Sequence, residues 1–568
     1  MTVKRITALA LALFALFTLC ACKKNNSEGD KNPAYGGLFD TSYVHSVNVE
    51  IGEEDLADMY ENPLAKTKYA VSVTIDGNRL QNVSFSTKGN TSLASVASTD
   101  SKRFSFKLNF GKFEKGQTYF GLDKLNLNNI YSDATFMKDY LSYMIMREAG
   151  VKAPLISYVE LKINGKLHGL YIAIENVSES FIERNYGSEE GALFKPGTER
   201  LDNISQGGAR PEDRPGGTGD MPMPSFDPNM PMPSGMPGGS GDMPMPSFDP
   251  NMPMPSGMPE GFGGDMPGGF EDEDTGGADL VYTGDDPSSY PAIFDNEETS
   301  VTDEERARLI EAIKALSTGE NIGEYWDMDQ VVRYFAAHNF VLNYDSYTGN
   351  MLHNYYLLER EGFASVIPWD YNLAFGGFTG AGDAKAAVNT PIESPLSGAS
   401  EESRPLWNII VSNEEYLKAY EECYDKLLSA FFESGRCASE IARVKKLIAP
   451  YVKNDPSAFY TYKEFEKAVS ALTLFCEKRA ESIRRQLSGS LGKTKGTQND
   501  PDMVSADGLD MSVMGVMGMG GPNQGGDPNQ GGTPPGQGGF PNQGGDPNQG
   551  GTPPQGGFPG QGGTPPGQ

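Results

Sequence analysis

The chain has 568 residues, with 76 acidic and 47 basic side chains, so its formal net charge at pH 7 is −29. A surface of this sign repels the phosphate backbone of nucleic acids, which argues against a nucleic-acid-binding protein. A basic protein partner or a metal–nucleotide complex is easier to reconcile with this charge. The alternative is that the acidity only keeps an exported protein soluble.

The N-terminal residues have the features of an export signal. A basic pair at 4–5 precedes an apolar run at 6–19, which is too short to span a membrane comfortably. The run ends in Leu-Cys-Ala-Cys at 19–22, a sequence that resembles a bacterial lipobox. The resemblance implies cleavage before Cys22, a diacylglycerol group on its sulfur, and a protein held at the outer face of the bacterial cell membrane. An ordinary cleaved signal is the alternative.

Two tracts, 205–277 and 488–568, are dominated by Gly, Pro, Met, Asn and Gln. Such sequences bury too little apolar surface to offset the entropy lost on folding, so both are predicted to be disordered. The first tract contains an eleven-residue repeat, GDMPMPSFDPN, that begins at Gly219 and again at Gly241. Because proline recurs within it, extended chain is a better interpretation than a folded solenoid.

Residues 43–204 show mostly the alternation of β-strands. A hairpin is predicted around the Asp76-Gly77 turn, and a second joins 158–163 to 166–174 through Asn164-Gly165. A helix with one apolar face is predicted over 133–149. Several antiparallel strands with one helix between them resemble the small lobe of a kinase.

Residues 278–487 are predicted to be mostly helical. Thr302 and Glu305 have the spacing of a capping box, and helices are predicted over 329–342, 414–432 and 457–485. This segment resembles a helical large lobe. The mature cysteines lie in helical sequence without metal-ligand spacing and are interpreted as buried apolar residues; they are Cys423, Cys437 and Cys476.

The predicted fold is therefore α+β, an atypical two-lobed protein-kinase-like fold with strands in the N-terminal part and helices in the C-terminal part. The predicted segments are a signal peptide (1–21), a tether (22–42), the N-terminal part (43–204), the insertion (205–277), the C-terminal part (278–487) and the tail (488–568).

The candidate catalytic residues come directly after the predicted helix over 329–342. Asp345 and Asn350 stand five residues apart, a predicted hairpin over 351–367 comes next, and Asp370 stands at its exit. Because a hairpin returns the chain to where it began, these three side chains are expected to lie together. Phosphoryl transfer needs a carboxylate to take the hydroxyl proton, and a carboxylate and an amide oxygen to hold Mg²⁺ on the phosphates. Asp345 is thus predicted as the base, and Asn350 and Asp370 as metal ligands.

Several short motifs, in order along the chain, resemble the spore-coat H (CotH) kinase family. They are Lys-Gly-Asn-Thr-Ser at 88–92, the strand at 102–110, Asn-Leu-Asn-Asn at 126–129, Asn-Gly at 164–165 followed by Gly-Leu-Tyr at 169–171, Glu-Asn-Val at 175–177, Asn-Tyr-Asp at 343–345, Asn-Tyr-Tyr at 354–356 and Ile-Pro-Trp-Asp at 367–370. The resemblance implies transfer of phosphate from ATP to Ser or Thr of extracytoplasmic proteins, with Mg²⁺ or Mn²⁺.

The resemblance also implies a nucleotide site. Lys88 and Asn90 replace the glycine-rich loop of ordinary kinases, and either Lys102 or Lys107 is expected to hold the phosphates, with Glu175 as the acidic partner of that lysine. The family often has a second Asp where this chain has Asn372, and this departure puts activity in doubt.

Other interpretations remain open at this level. The same fold could serve as a catalytically inactive surface scaffold. Asp345 and Asp370 could instead be the carboxylate pair of a carbohydrate-active enzyme, or ordinary turn residues. Ser225 and Ser247 stand in identical repeat contexts and are candidate acceptors for autophosphorylation, with a plain flexible linker as the alternative.

Overall fold

The computed structural model describes residues 33–197, 275–378 and 383–517. The N-terminal strands form a closed seven-stranded barrel in the order β1-β2-β3-β4-β5-β7-β6. These strands are β1 (His45–Glu50), β2 (Tyr69–Ile75), β3 (Asn78–Lys88), β4 (Ser105–Asn109), β5 (Lys124–Asn128), β6 (Ile156–Ile163) and β7 (Lys166–Glu175). The parallel pairing of β1 with β6 closes the barrel, and the other neighbouring strands are antiparallel.

Side-chain alternation divides the barrel into an apolar interior and an outer surface of mixed character. The interior is filled by fully buried side chains such as Val47, Phe85 and Phe106. The outer surface of β3, β4 and β5 is polar, and the register sets Lys107 opposite both a serine of β3 and an asparagine of β5. This polar outer strip forms one wall of the cleft described below.

The described residues of the N-terminal part also form four α-helices, and one of them packs between the barrel and the rest of the fold. They are α1 (Glu53–Glu61), α2 (Thr91–Ala97), α3 (Lys138–Glu148) and α4 (Glu179–Tyr186). Helix α3 lies outside the barrel, where Tyr143 and Ile145 share a second apolar core with Ile172 and Ile174 from the outer side of β7. The sequence predicted the antiparallel strands and this helix. It did not predict barrel closure, because pairing between strands so far apart in the chain leaves no local pattern.

A small three-stranded sheet follows in the order β10-β9-β8. It consists of β8 (Ala192–Phe194), β9 (Tyr355–Arg360) and β10 (Phe363–Pro368). The predicted hairpin is present, but its first strand begins at Tyr355 rather than 351. Leu352 and Asn354 have φ values of 52° and 59°, and left-handed backbone of this kind cannot continue a strand.

The C-terminal part is helical, so the predicted α+β character with strands first and helices later is confirmed. Its helices are α5 (Pro291–Phe294), α6 (Asp303–Thr318), α7 (Ile322–Tyr325), α8 (Met328–Val341), α9 (Ala384–Val388), α10 (Pro405–Ser412), α11 (Glu414–Leu427), α12 (Arg436–Asn454) and α13 (Tyr462–Leu487). The capping box of Thr302 and Glu305 is confirmed at the start of α6. Helix α12 contains Cys437, whose surroundings were predicted to be helical without bounds for the helix, and it includes Pro450.

The packed chain extends beyond the predicted boundaries at both ends. A 3₁₀ helix at Ala34–Phe39, inside the predicted tether, buries Tyr35 against the barrel. Inside the predicted tail, Met514 is buried and its carbonyl accepts a hydrogen bond of 3.1 Å from the amide of Ala134. A few apolar side chains are therefore enough to dock segments of low overall hydrophobicity.

Several sequence predictions concern residues outside the described ranges. The signal segment with Cys22, the repeats of the insertion and the repeats of the tail all lie there. Within the ranges that are described, no helix is both long enough and apolar enough to cross a membrane. The three mature cysteines are buried in helices, as expected.

Candidate functional site

A cleft of about 2430 Å³ lies between the outer side of the barrel and the loops around the small sheet. Lys88, Asn90 and Lys107 line the barrel side of this cleft. Asp345, Asn350 and Asp370 line the opposite side. The fold thus brings together six of the predicted site residues, which are far apart in the sequence.

Asp370 follows β10 directly and is held in an unusual conformation. Its φ of 57° is left-handed, a conformation that costs a non-glycine residue about 1–3 kcal/mol. Hydrogen bonds hold its backbone on both sides: its amide donates to the Tyr143 hydroxyl (3.1 Å) and its carbonyl accepts from Asn343 (3.1 Å). Surrounding structure therefore fixes the direction in which this carboxylate leaves the backbone.

Asp345 lies in the loop after α8 and has two side-chain partners. The amide nitrogen Nδ2 of Asn354 donates to both the main-chain oxygen (2.9 Å) and the carboxylate oxygen Oδ2 (3.0 Å) of Asp345. Nε2 of His353 lies 2.9 Å from Oδ1. Burial lowers the pKa of His353. The charge of Asp345 and the hydrogen bonds to Asp345 and Met351 raise this pKa by more, so it lies above its usual value.

Two asparagines of this loop line the cleft: Asn350, the predicted metal ligand, and Asn354, which was not predicted as a site residue. Asn350 is exposed, and its side chain faces the carbonyl oxygens of Ser397 and Gly398. Asn354 is the asparagine bonded to Asp345, because the left-handed loop before β9 turns it back toward that residue. Since the amide nitrogen of Asn354 faces Asp345, its oxygen points away from Asp345 and is of the type that Mg²⁺ accepts.

Asp139, on helix α3, was not predicted as part of the site. Its Oδ1 accepts a hydrogen bond of 2.8 Å from the amide of Tyr371, the residue after Asp370. Burial, together with the nearby Asp370 carboxylate, raises the pKa of Asp139 to about 7. Asp139 therefore holds the turn at Asp370 in place through the main chain of the next residue.

Among the lysines that line the cleft, Lys88 and Lys107 come from the barrel and Lys195 follows β8; we call these three the lysine wall. Burial lowers the pKa of Lys107 to about 8 and also lowers that of Lys88. The Lys88 ammonium donates to Asn128 (2.6 Å), and both Lys88 and Lys195 lie 5.6 Å from the ring centre of Trp369. Neighbouring cations repel one another when desolvated, so this wall favours a polyanionic ligand.

Two predicted nucleotide-binding residues lie away from the cleft. Lys102 is exposed and donates to the carbonyl of Tyr60 (3.2 Å). Glu175 is fully buried and forms an ion pair of 2.6 Å with Arg184, while the Tyr35 hydroxyl donates to its other oxygen (2.7 Å). Neither residue lines the cleft, so of the two candidate lysines only Lys107 faces it, and Glu175 is not its partner.

Comparison with known proteins identifies the family. The family model described as "CotH kinase protein" matches residues 85–483, which is more than half of the chain. The chain belongs to the CotH kinase family. It is also similar to inner spore coat protein H of Bacillus subtilis (strain 168), with 20% identity over 391 residues, covering 68% of this chain and 84% of that protein. Membership indicates a kinase-like protein, and the family implies nucleotide-dependent phosphotransfer.

In this CotH-family chain, a buried histidine connects the loop that contains Asp345 with the turn that contains Asp370. His338 of α8 contacts the Tyr371 hydroxyl through Nδ1 (2.9 Å) and the hydroxyls of Thr348 and Ser346 through Nε2 (2.9 Å each). Burial lowers its pKa to about 3, so it stays neutral. The network links the loop of Asp345 to the turn of Asp370. No local sequence pattern predicts this network, because it joins three separate segments.

Asn372, the departure from the family pattern, also lies in the cleft. Its side-chain nitrogen donates to the carbonyl of Tyr131 (3.2 Å). The residue therefore has a structural hydrogen bond that an aspartate could not make, since an ionised carboxylate cannot donate.

Proposed function

We propose that this protein is an exported, lipid-anchored atypical protein kinase that transfers the terminal phosphate of ATP to Ser or Thr of extracytoplasmic proteins. In this proposal the barrel part and the helical part act as the two lobes of a kinase-like fold. The observation that carries it is the cleft, in which Asp345, Asn354 and Asp370 face a wall of three lysines. Family membership supports the same reaction class.

Each group in the cleft has a role in such a transfer. The acceptor hydroxyl oxygen bonds to the γ-phosphorus while the bond from that phosphorus to the bridging oxygen of the departing ADP breaks. Asp345 takes the proton of the acceptor hydroxyl. Lys88, Lys107 and Lys195 neutralise the negative charge of the phosphates. This electrostatic stabilisation grows as the bridging oxygen of the departing ADP becomes anionic.

The acidic side of the cleft would hold a divalent cation only if the phosphates of the nucleotide supplied further ligands. Across residues 33–197, 275–378 and 383–517, no group of three or more His, Cys, Asp or Glu side chains could hold a metal. Asp370 and the amide oxygen of Asn354 would supply two oxygen ligands, which suits Mg²⁺ or Mn²⁺, because such ions bind through one or two carboxylates plus substrate phosphates. When bound, the ion would neutralise the charge that develops on the phosphates.

The test is phosphate transfer by the purified mature chain. The protein is incubated with γ-labelled ATP, Mg²⁺ or Mn²⁺, and exported proteins of its host, and labelled Ser or Thr is sought in the products. Binding of the nucleotide without transfer would support the scaffold instead. Cleavage of a glycan by a protein that binds no nucleotide would support the carbohydrate-active alternative.

The inserted repeats are proposed as an intramolecular acceptor. The described residues nearest to the repeats on each side, Lys195–Gly197 and Thr275–Gly276, line the cleft, so the chain that carries the repeats leaves from and returns to the candidate site. Such attachment can give effective concentrations in the millimolar range. We expect Ser225 and Ser247 to be phosphorylated on incubation with Mg-ATP, at a rate independent of protein concentration.

Intact mass and peptide mapping measure this modification, and the double variant S225A/S247A is the control. An enzyme that phosphorylates an added protein while both serines stay unmodified would show that the insertion is a linker and would leave the proposed activity unaffected.

The proposed anchor has its own test. Cys22→Ser is expected to block acylation, so that the protein moves from the membrane to the soluble fraction or keeps its leader, because one thioether-linked lipid group would be lost. Mass spectrometry of the mature N-terminus makes the measurement. A wild-type protein whose first mature residue carries no acyl group would contradict the anchor.

A further inference from the structure

The loop between β4 and β5, residues 110–123, exposes large aromatic side chains at one end of the barrel. Phe113 is 45% exposed and Phe120 is 56% exposed. Tyr119 packs edge-on against Phe120, with ring centres 4.9 Å apart, and stacks on buried Phe110 at 6.0 Å. We call this segment, 110–123, the aromatic loop.

The outward position of Phe120 is built into the backbone. Its φ of 53° is left-handed, a conformation that bulky residues rarely adopt. Tyr119 and Leu122 close the turn around it with two reciprocal main-chain hydrogen bonds of 2.9 and 3.0 Å. A strained turn that holds an aromatic ring in solvent points to a ligand for that ring.

The aromatic loop lies where the chain enters the fold. Tyr35, in the 3₁₀ helix at the start of the described chain, packs beside Gly121: a methyl group at Gly121 would lie 3.7 Å from its ring. The thirteen residue-to-residue steps from Cys22 to Tyr35 span at most about 45 Å when fully extended. A lipid on Cys22 would therefore keep this end of the barrel within about 45 Å of the membrane, close enough to reach it.

The charges in the loop suit a lipid headgroup layer. Lys112 and Lys115 are both exposed and flank Phe113, with Glu114 between them; the other acidic residue of the loop, Asp123, lies at its far end and pairs with Lys124 (3.5 Å). Exposed aromatic rings beside lysines are typical of surfaces that sit at the boundary of headgroups and acyl chains. The chain as a whole is strongly acidic, so a local basic site is needed to approach anionic lipid.

We propose that the aromatic loop is a membrane-docking surface, with Phe113 and Phe120 inserted among the headgroups of an anionic bilayer. The inference rests on the proposed anchor at Cys22. A diacylglycerol on Cys22 supplies two acyl chains that attach the chain to the bilayer, and the aromatic loop would add a separate contact made by the folded barrel. Docking here would also hold the barrel in one orientation on the bilayer.

The experiment places a tryptophan reporter in the loop. The mature chain, starting at Cys22, is coupled through that thiol to a maleimide lipid in vesicles of phosphatidylethanolamine and phosphatidylglycerol with brominated acyl chains. The chain has three tryptophans, Trp326, Trp369 and Trp407, and each is at most 4% exposed. The brominated lipid should therefore quench their fluorescence only weakly. F113W and F120W are compared with F363W, whose position is 45% exposed in the small sheet.

We expect bromolipid quenching several-fold stronger for F113W and F120W than for F363W, and weaker quenching of F113W when Lys112 and Lys115 are changed to glutamate. Equal quenching at all three positions would overturn the proposal. So would a loop signal that changes with protein concentration in the absence of vesicles, since that would indicate a second copy as the partner. The coupling is synthetic, so this result is separate from the mass-spectrometric test of the natural anchor.

Discussion

Asp370→Asn is expected to abolish phosphate transfer while leaving the fold intact. Asparagine tolerates the left-handed backbone at this position, so the substitution removes the charge of the carboxylate without adding strain. The phosphates would then lack the anionic ligand that holds a divalent cation against them. Asp345→Asn should lower turnover by about 10²–10⁴-fold, as is typical for loss of a general base, and should spare nucleotide binding.

Labelled-phosphate transfer and nucleotide affinity are measured for both variants, with thermal unfolding to confirm that each is folded. Asp303→Asn is the matched control, because that carboxylate is 95% exposed at the start of α6. If either variant transfers phosphate at the rate of the control, the role assigned to that aspartate is wrong.

Asn354→Ala is expected to lower transfer by about 10²-fold, the usual cost of removing a group that orients or assists a catalytic centre. The change removes two hydrogen bonds to Asp345 and one oxygen from the proposed metal site. Raising the Mg²⁺ or Mn²⁺ concentration should restore part of the lost rate, since one ligand would be missing.

Asn350→Ala is the paired variant and should have a much smaller effect, because its side chain faces the 397–398 backbone. Rates at several metal concentrations separate the two asparagines. A larger loss at Asn350 than at Asn354, or a loss at Asn354 that no metal concentration relieves, would contradict the assignment of the metal ligand to Asn354.

The difference between these two asparagines shows the limit of spacing arguments. A spacing of five residues from Asp345 favoured Asn350, and it assumed that the chain enters a strand at 351. The left-handed residues Leu352 and Asn354 delay that strand to Tyr355, and the side chain of Asn354 bonds to Asp345. This local backbone conformation therefore adds Asn354 to Asn350 as a candidate ligand.

Glu175 shows a second limit. It lies next to Asn176, which does line the cleft, but successive side chains on an extended segment point to opposite sides. Glu175 therefore points toward Arg184 and the N-terminal 3₁₀ helix. The sequence showed an acidic residue near the right place, and only the register of β7 decided which way it faces.

The sequence by itself determined the features that depend on neighbouring residues. The Asn164-Gly165 hairpin, the capping box at Thr302 and the apolar stripe of α8 are local, because turn geometry, caps and helical periodicity act over a few residues. The family motifs are equally local, and they indicate the CotH kinase family by themselves.

Tertiary structure alone decided how distant segments meet. Closure of the barrel through β1 and β6, the lysine wall completed by Lys195, and Asp139 behind the Asp370 turn all join segments far apart in the chain. A single sequence carries no periodic signal for such contacts, because they depend on the packing of whole elements around two apolar cores.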